Sequence, residues 1–383
     1  GLVVFTLVII MVLGAMIDAS ADGTMADASG GFPIRADFNP SDPVGHPVTA
    51  FTTGRFAGRV ETVVPLVVAP GLAAVGAIAD ADVVVVGADY GIVASGLYPL
   101  TERLPLAESD RAAWEMVLRN TRWAIVDQFI GQAGGGPPAV VYHPGDEVTL
   151  TDPATGRSET KVIAGILKAS DGLRGIQNTG YTSPIVMGTR SAHELFGTLA
   201  RRASALIKPA PGEPLAALQA DLQGQFLANG LIVTDVRSVV ERSLSATRGF
   251  FQLMEGFLAL GLLVGIAGLG IVMVRAVRER RRTIGVLRAL GFGARTVRRA
   301  FLGESAFVAF EGIVLGAGLG LVTSYLMFVN FPSFEGMGIG FPVPWTALAV
   351  VLVITGVASL LATMWPARRA ANIRPAVALR IAD

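Results

Sequence analysis

RERRRTIGVLRALGFGARTVRRAFLGES, residues 278–305, is the arginine-dense stretch of this sequence, and a long apolar segment lies on each side of it. From Arg275 to Arg299 there are nine arginines and one acid, Glu279. Lys and Arg resist translocation, so a short basic loop between two spans is retained in the cytoplasm. Taken as a helix, Arg281 to Leu290 puts Ile284, Leu287 and Leu290 on one face and Arg281 and Arg288 on the opposite one, an amphipathic pattern. Gly291-Phe292-Gly293 ends that helix, because glycine readily enters the left-handed conformation at a helix end. A second helix restarts near Ala294. Two readings fit the stretch: a positive-inside loop lying among headgroups, or a docking helix that offers its apolar face to a cytoplasmic partner.

Composition agrees with a membrane chain. The 383 residues are 52% hydrophobic and 16% charged, a profile that fits a membrane protein with a sizeable soluble part. Net charge is only +1, yet residues 275–383 hold 13 basic and 5 acidic side chains and residues 1–274 hold 18 and 25. All 13 are arginine. The basic half therefore belongs to a membrane's cytoplasmic side and not to a nucleic-acid groove. Absence of cysteine excludes disulfides, thiolate zinc sites and cysteine catalysis.

Outward from the basic loop, residues 239–274 form a stalk and a span with its core at 250–274, and residues 304–329 form the next span. Trp345 and Trp365 bracket the last one, 345–366, because they lie roughly 30 Å apart on a helix, the thickness of the hydrocarbon core. Residues 1–17 are an uninterrupted apolar run ended by Asp18. It lacks the basic start of a signal peptide, although Ala19-Ser20-Ala21 has the small-x-small pattern of a cleavage site. A transmembrane helix whose start is missing is the other reading, in a fragment or in the later half of a longer protein. With 275–303 cytoplasmic, counting spans places the external loop at 330–344 and the tail, 367–383, inside. The polar stretch 18–238 then lies outside.

That stretch reads as an α+β domain punctuated by Gly and Pro. Thr49 to Val68 is strand-rich, and Ala81 to Gly87 is a β-branched strand. Ser109 caps a helix through about Asn120, Trp123 to Phe129 is a strand, and GGGPP breaks the chain after it. Asp146–Leu150 and Thr160–Leu167 make a hairpin around Asp152-Pro-Ala-Thr-Gly156. Ala203–Ile207, Pro214–Leu227 and Leu231–Val236 give strand, helix, strand, with Pro214 at the helix start and Gly230 past its end. The fold class is thus membrane α-helical, with four transmembrane helices and a large α+β extracytoplasmic domain between the first two.

Inside the spans, Gly261 and Gly265, then Gly312, Gly316 and Gly320, recur every four residues, a spacing that serves helix packing. Glu311 is the carboxylate deepest in a span; it either pairs with a polar neighbour or relays protons. His46, His143 and His193 lack metal-ligand spacing, and no G-x-S-x-G elbow occurs. The three lysines, 161, 168 and 208, do not follow a glycine as in a phosphate-binding loop, so the chain cannot bind ATP in that manner.

The 278–305 run is similar to the cytoplasmic loop of FtsX-like permeases, the membrane subunits of type VII ABC transporters, which include MacB-like and lipoprotein-release permeases. The C-terminal Pro366-ARRAANIRPAVALR-Ile381 resembles the same family's ending: a proline, a basic stretch, a second proline and a final Ala-Leu-Arg. The resemblance implies a two-part outer domain, with an insert near 100–200 and a first part at 30–99 plus 201–240. It also implies a bacterial cytoplasmic-membrane protein without its own cofactor or ATPase site. ATP and Mg would sit on a separate cytoplasmic ABC ATPase dimer docking on Arg281, Ile284, Leu287, Arg288, Leu290 and Gly291. The energy would then move the external domain through the stalk, a mechanotransmission. A second permease half or copy, membrane lipid, and an external cargo or accessory protein complete the implied partners. Lipoprotein, lipid, peptide and hydrophobic drug all stay open as cargo. An FtsX-like scaffold regulating a cell-wall hydrolase is a second reading and a secondary transporter a third; the absence of broken helices argues against the latter.

Overall fold

The structure, a computed structural model, describes residues 1–39, 41–131, 142–174, 182–330 and 340–371. Two compact units divide the chain: Ser20–Leu244, and Gly1–Ala19 together with Ser245–Asp383.

Helix α1 (Leu2–Ser29) does not stop at Asp18, where the apolar run ends. Ala19, Ala21, Ala26 and Ala28 keep the continuation a good helix former. The stop comes at Gly30 and Gly31, with φ of 54° and 88°. A Cβ on Gly30 would lie 2.5 Å from the Tyr98 ring, so only glycine fits both the backbone and the space. Strand β1 (Ile34–Asp37) follows and pairs antiparallel with β10 (Ile232–Asp235), Ile34 opposite Asp235. Helix α8 (Val236–Glu279) starts at the next residue, and the Val236 amide donates to the Pro33 carbonyl at 2.9 Å. Chain entry and exit therefore use two neighbouring strands at one edge of the sheet.

The remaining strands are β2 (Val60–Val75), β3 (Ile78–Ala88), β4 (Leu100–Arg103), β5 (Trp123–Asp127), β6 (Glu147–Thr151), β7 (Ser158–Leu167), β8 (Ser183–Gly188) and β9 (Arg201–Pro209). Their order is β10-β1-β9-β2-β3-β8-β5-β7-β4, and β6 pairs with both β2 and β7. That double pairing closes β2, β3, β8, β5, β7 and β6 into a ring. Successive side chains of a strand point to opposite faces. One face of the ring buries Val67, Val85, Val126, Leu150, Ile163 and Ile185 together. The other packs Leu66, Val86, Ile125 and Val186 with Trp114. Strands from 30–99 and from 100–200 share this ring, with β3 parallel to β8.

Most of the sequence-predicted elements are found within a few residues of their expected ends. Helix α4 (Asp110–Arg119) is capped by Ser109, whose Oγ accepts from the Ala112 amide at 3.2 Å. The β6–β7 turn is held by Asp152, which accepts from the Ala154 amide and the Thr155 hydroxyl at 2.9 and 2.6 Å. Helix α7 (Leu215–Gln225) follows Pro214, and Gly230 has φ of 62°. Thr49–Val68 differs. Its first part is helix α2 (Pro47–Thr52) and a 3-10 turn at Gly54–Phe56, because Pro47 starts a helix that buries Phe51. The GGGPP break lies outside the described residues.

Buried charges in this unit are neutralised locally. The fully buried Lys161 donates to the Thr121 carbonyl, Glu159 and the Ser191 hydroxyl at 2.6, 2.9 and 2.8 Å. Arg35 pairs with Asp37 at 3.0 Å and donates to the Gly172 carbonyl at 3.0 Å, while the Ser204 hydroxyl donates to Asp37. Burial pushes the Asp127 carboxyl above its usual range, against the pull of Arg174 at 3.1 Å.

In the other unit, α1, α8, α10 (Ala294–Asn330) and α11 (Trp345–Ala371) are each long and apolar enough to cross a membrane. The fourth passes Pro366 and is helical through Ala371, the last residue described, beyond the predicted span. Val4, Val8, Val12 and Met16 of α1 form a buried four-residue stripe with Leu348, packed against Ile313, Ala317 and Leu321. Here the glycine ladder acts. A Cβ on Gly316 would meet the Gly1 carbonyl at 2.6 Å, and one on Gly320 would meet Val8 Cβ at 2.8 Å and the Phe5 carbonyl at 2.9 Å. A Cβ on Gly312 would lie 3.2 Å from the Gly1 nitrogen, whereas one on Gly261 reaches only Val3 at 3.9 Å and one on Gly265 has nothing within 4 Å. Gly320→Val should therefore lower the unfolding free energy in detergent by about 1–3 kcal/mol, the usual cost of overpacking. Gly265→Ala should leave the thermal midpoint unchanged.

Candidate functional site

The basic loop folds as an elbow. Helix α8 ends at Glu279, whose carboxylate receives Arg275 at 2.7 Å one turn earlier. Arg280 interrupts the helix and reaches Glu304 of α10 at 3.1 Å. Helix α9 (Arg281–Ala289) follows, Gly291 takes φ of 93°, and α10 begins at Ala294. The glycine pair therefore stops one helix and frees the next, as the sequence predicts.

Apolar residues of α9 divide between two tasks. Ile284, 3% exposed, packs with Met273 and Val277 of α8, Val297 and Phe301 of α10, and Ala367 of α11. It closes the elbow and is not part of the open surface. Leu287 and Leu290 are 38% and 72% exposed, joined by Val286 at 43% and Phe292 at 49%. The side chains of Arg281 and Arg288 lie outside those described. Val286 and Phe292 are absent from the sequence-predicted face, which followed a single helical stripe. Phe292, an aromatic between two glycines in a basic loop, carried the signal that could have found it.

The other candidates lie apart. Glu311 is exposed on α10 and has no ion-pair or hydrogen-bond partner among the described residues. His143 lies 2.9 Å from Glu102, which pushes its pKa up; His46 precedes α2 and His193 sits on α6 (Thr189–Phe196). Among the described residues no group of three or more His, Cys, Asp or Glu could hold a metal ion. The elbow thus leaves Val286, Leu287, Leu290 and Phe292 exposed within an arginine-rich stretch of sequence, an arrangement suited to surface recognition.

Comparison with known proteins meets the same region. Residues 256–375 match the FtsX-like permease C-terminal family. Bacillus subtilis ABC transporter permease YtrF is 30% identical over 172 residues, 42% of this chain and 39% of the relative. The lipoprotein-releasing system transmembrane protein LolC of Neisseria meningitidis is 28% identical over 164 residues, 35% of this chain and 38% of the relative. Macrolide export ATP-binding/permease protein MacB of Salmonella typhimurium is 34% identical over 120 residues, 31% of this chain and 18% of the relative. The match falls in the C-terminal third of the chain and takes in the elbow together with, among the described residues, α10, α11 and most of the apolar part of α8. Each match spans less than two-fifths of the relative's length.

The closed and the open positions of the elbow should differ in their tolerance of charge. Ile284→Asp places a carboxylate in a closed apolar cluster and should cost about 2–5 kcal/mol of stability, read as a fall in thermal midpoint in detergent. Leu290→Asp, on the open side, should shift that midpoint by less than a degree or two, about 0.5 kcal/mol at most.

Proposed function

We propose that this chain is the membrane subunit of an ABC transporter of the MacB and lipoprotein-release kind, driven by a separate cytoplasmic ATPase. The observation that carries the reading is the elbow: a short helix between two long apolar ones, with Leu287, Leu290, Val286 and Phe292 open to solvent. An exposed apolar cluster rimmed by charge is the usual form of a docking surface. Its occupant is the ATPase dimer, which carries the ATP and Mg. Leu287 and Leu290 supply the apolar contact, Arg281 and Arg288 the polar one, and Gly291 the turn that presents them. By the arginine bias, the elbow and the tail face the cytoplasm and Ser20–Leu244 lies outside a bacterial cytoplasmic membrane.

Helix α8 is the transmitting element. Its 44 residues run unbroken from the strand edge at Val236 to the elbow at Glu279. ATP-driven closure of the ATPase pair would displace that helix, and the sheet edge rooted on β10 would follow. Work is then done on the outer side, on a lipoprotein, lipid, peptide or hydrophobic compound, with a second permease copy or half completing the assembly.

The test is gentle purification from the native membrane, followed by identification of whichever ATPase accompanies the chain. A stoichiometric ATPase should be present. Leu287→Glu with Leu290→Glu should release at least 90% of it while the thermal midpoint stays within a few degrees. Recovery of the chain without any ATPase would refute the reading, as would full ATPase retention in the double variant.

A further inference from the structure

A second surface lies on α10, away from the elbow. Arg295, Arg299, Leu302, Ala306, Ala309 and Ile313 follow one another in steps of four and three residues and so share one face. Ala306, Ala309 and Ile313, with Phe310 and with Gly356 and Leu360 of α11, line a groove of about 420 Å³. Its depth comes from small residues. A Cβ on Gly356 would meet nothing nearer than Ile313 Cδ1 at 3.7 Å.

The two arginines at the foot of this groove are exposed and have no carboxylate or hydrogen-bond partner among the described residues. In the same loop Arg275 and Arg280 are paired, with Glu279 and Glu304. At 100° per residue, Glu304 and Glu311 fall about half a turn around α10 from the stripe, so neither neutralises it. Arg299 precedes Ala306 by about 10 Å along the helix axis, and the groove runs about another 10 Å to Ile313. Unsatisfied cation at the membrane edge and open apolar channel towards its centre thus stand in line.

We propose that this stripe holds one anionic phospholipid of the surrounding bilayer, its phosphate on Arg295 and Arg299 and an acyl chain in the groove. Guanidinium groups recognise phosphate oxygens bidentately, which an apolar helix cannot offer. A second copy docked symmetrically through the same face would set arginine against arginine at the same depth. The site requires only that the helices lie in a bilayer; it does not depend on an ATPase partner.

The test uses the full chain in nanodiscs of mixed phosphatidylglycerol and phosphatidylcholine, released for native mass spectrometry. One phosphatidylglycerol per chain should be retained in preference to phosphatidylcholine. Arg295→Gln with Arg299→Gln should reduce that preference roughly 30-fold, the factor two juxtamembrane arginines contribute. Ala309→Trp should expel the lipid while leaving both arginines in place. Equal retention of the two lipids, or an unchanged preference in the arginine variant, overturns the proposal. So does a disulfide-linked dimer formed efficiently by Ala306→Cys in this otherwise cysteine-free chain, since the groove would then belong to a second copy.

Discussion

Antiparallel pairing between β1 and β10 is the constraint on which the Ser20–Leu244 unit is built. Four registered residue pairs, from Ile34 opposite Asp235 to Asp37 opposite Ile232, join the strand that follows one long helix to the strand that precedes another. Because strand neighbours lie about 5 Å apart, the helical ends must leave the sheet together. Val236 donating to Pro33 adds a bond at the point of departure, and Ala28 packs with Val236 and Val240 just beyond. Everything between, from Phe38 to Leu231, is inserted between two adjacent strands. That arrangement lets a large domain interrupt a membrane protein without separating the helices that flank it.

The apolar helices obey a different constraint. In hydrocarbon no hydrophobic force pulls one helix to another, so close approach must come from shape. The ladder Gly312-Gly316-Gly320 supplies it by letting the α1 backbone lie against that of α10. Polar side chains on these helices turn back on their own backbone. Thr355, Ser359 and Thr363 of α11 donate to carbonyls one turn earlier, at 2.7, 2.8 and 3.1 Å. Such bonds satisfy the hydroxyl where no water would.

Much of this was legible in the sequence because single residues dictated it. Ser109, Asp152, Pro214 and Gly230 each impose a local geometry that packing has little power to override, and each stands where its chemistry requires. Where the reading failed, the deciding information was not local. Asp18 looked like a terminus because it ends the apolar run, but helix α1 continues on alanine and stops only where glycine appears. The beginning of Thr49–Val68 reads as strand by composition, yet Phe51 finds an aromatic neighbourhood with Phe38 and Phe226, ring centroids 5.9 and 5.1 Å away. Burial of one ring among partners distant in sequence outweighs β propensity. Closure of the six-strand ring was equally invisible, since it depends on β6 pairing in two directions.

The elbow shows why a periodicity argument finds a surface but misjudges its edge. A helix as short as α9 cannot reserve one face for its own chain and another for a partner with only three apolar positions. It must first be held, and Ile284 does that by entering the cluster formed by α8, α10 and α11. The apolar residues that follow it and the aromatic in the glycine turn stay exposed, so the open surface is rotated from the predicted stripe. The arginines divide in the same way. Arg275 and Arg280 are tied to Glu279 and Glu304, whereas Arg295 and Arg299 have no carboxylate partner among the described residues. A basic loop is therefore several surfaces, separated by which cations the fold has already neutralised.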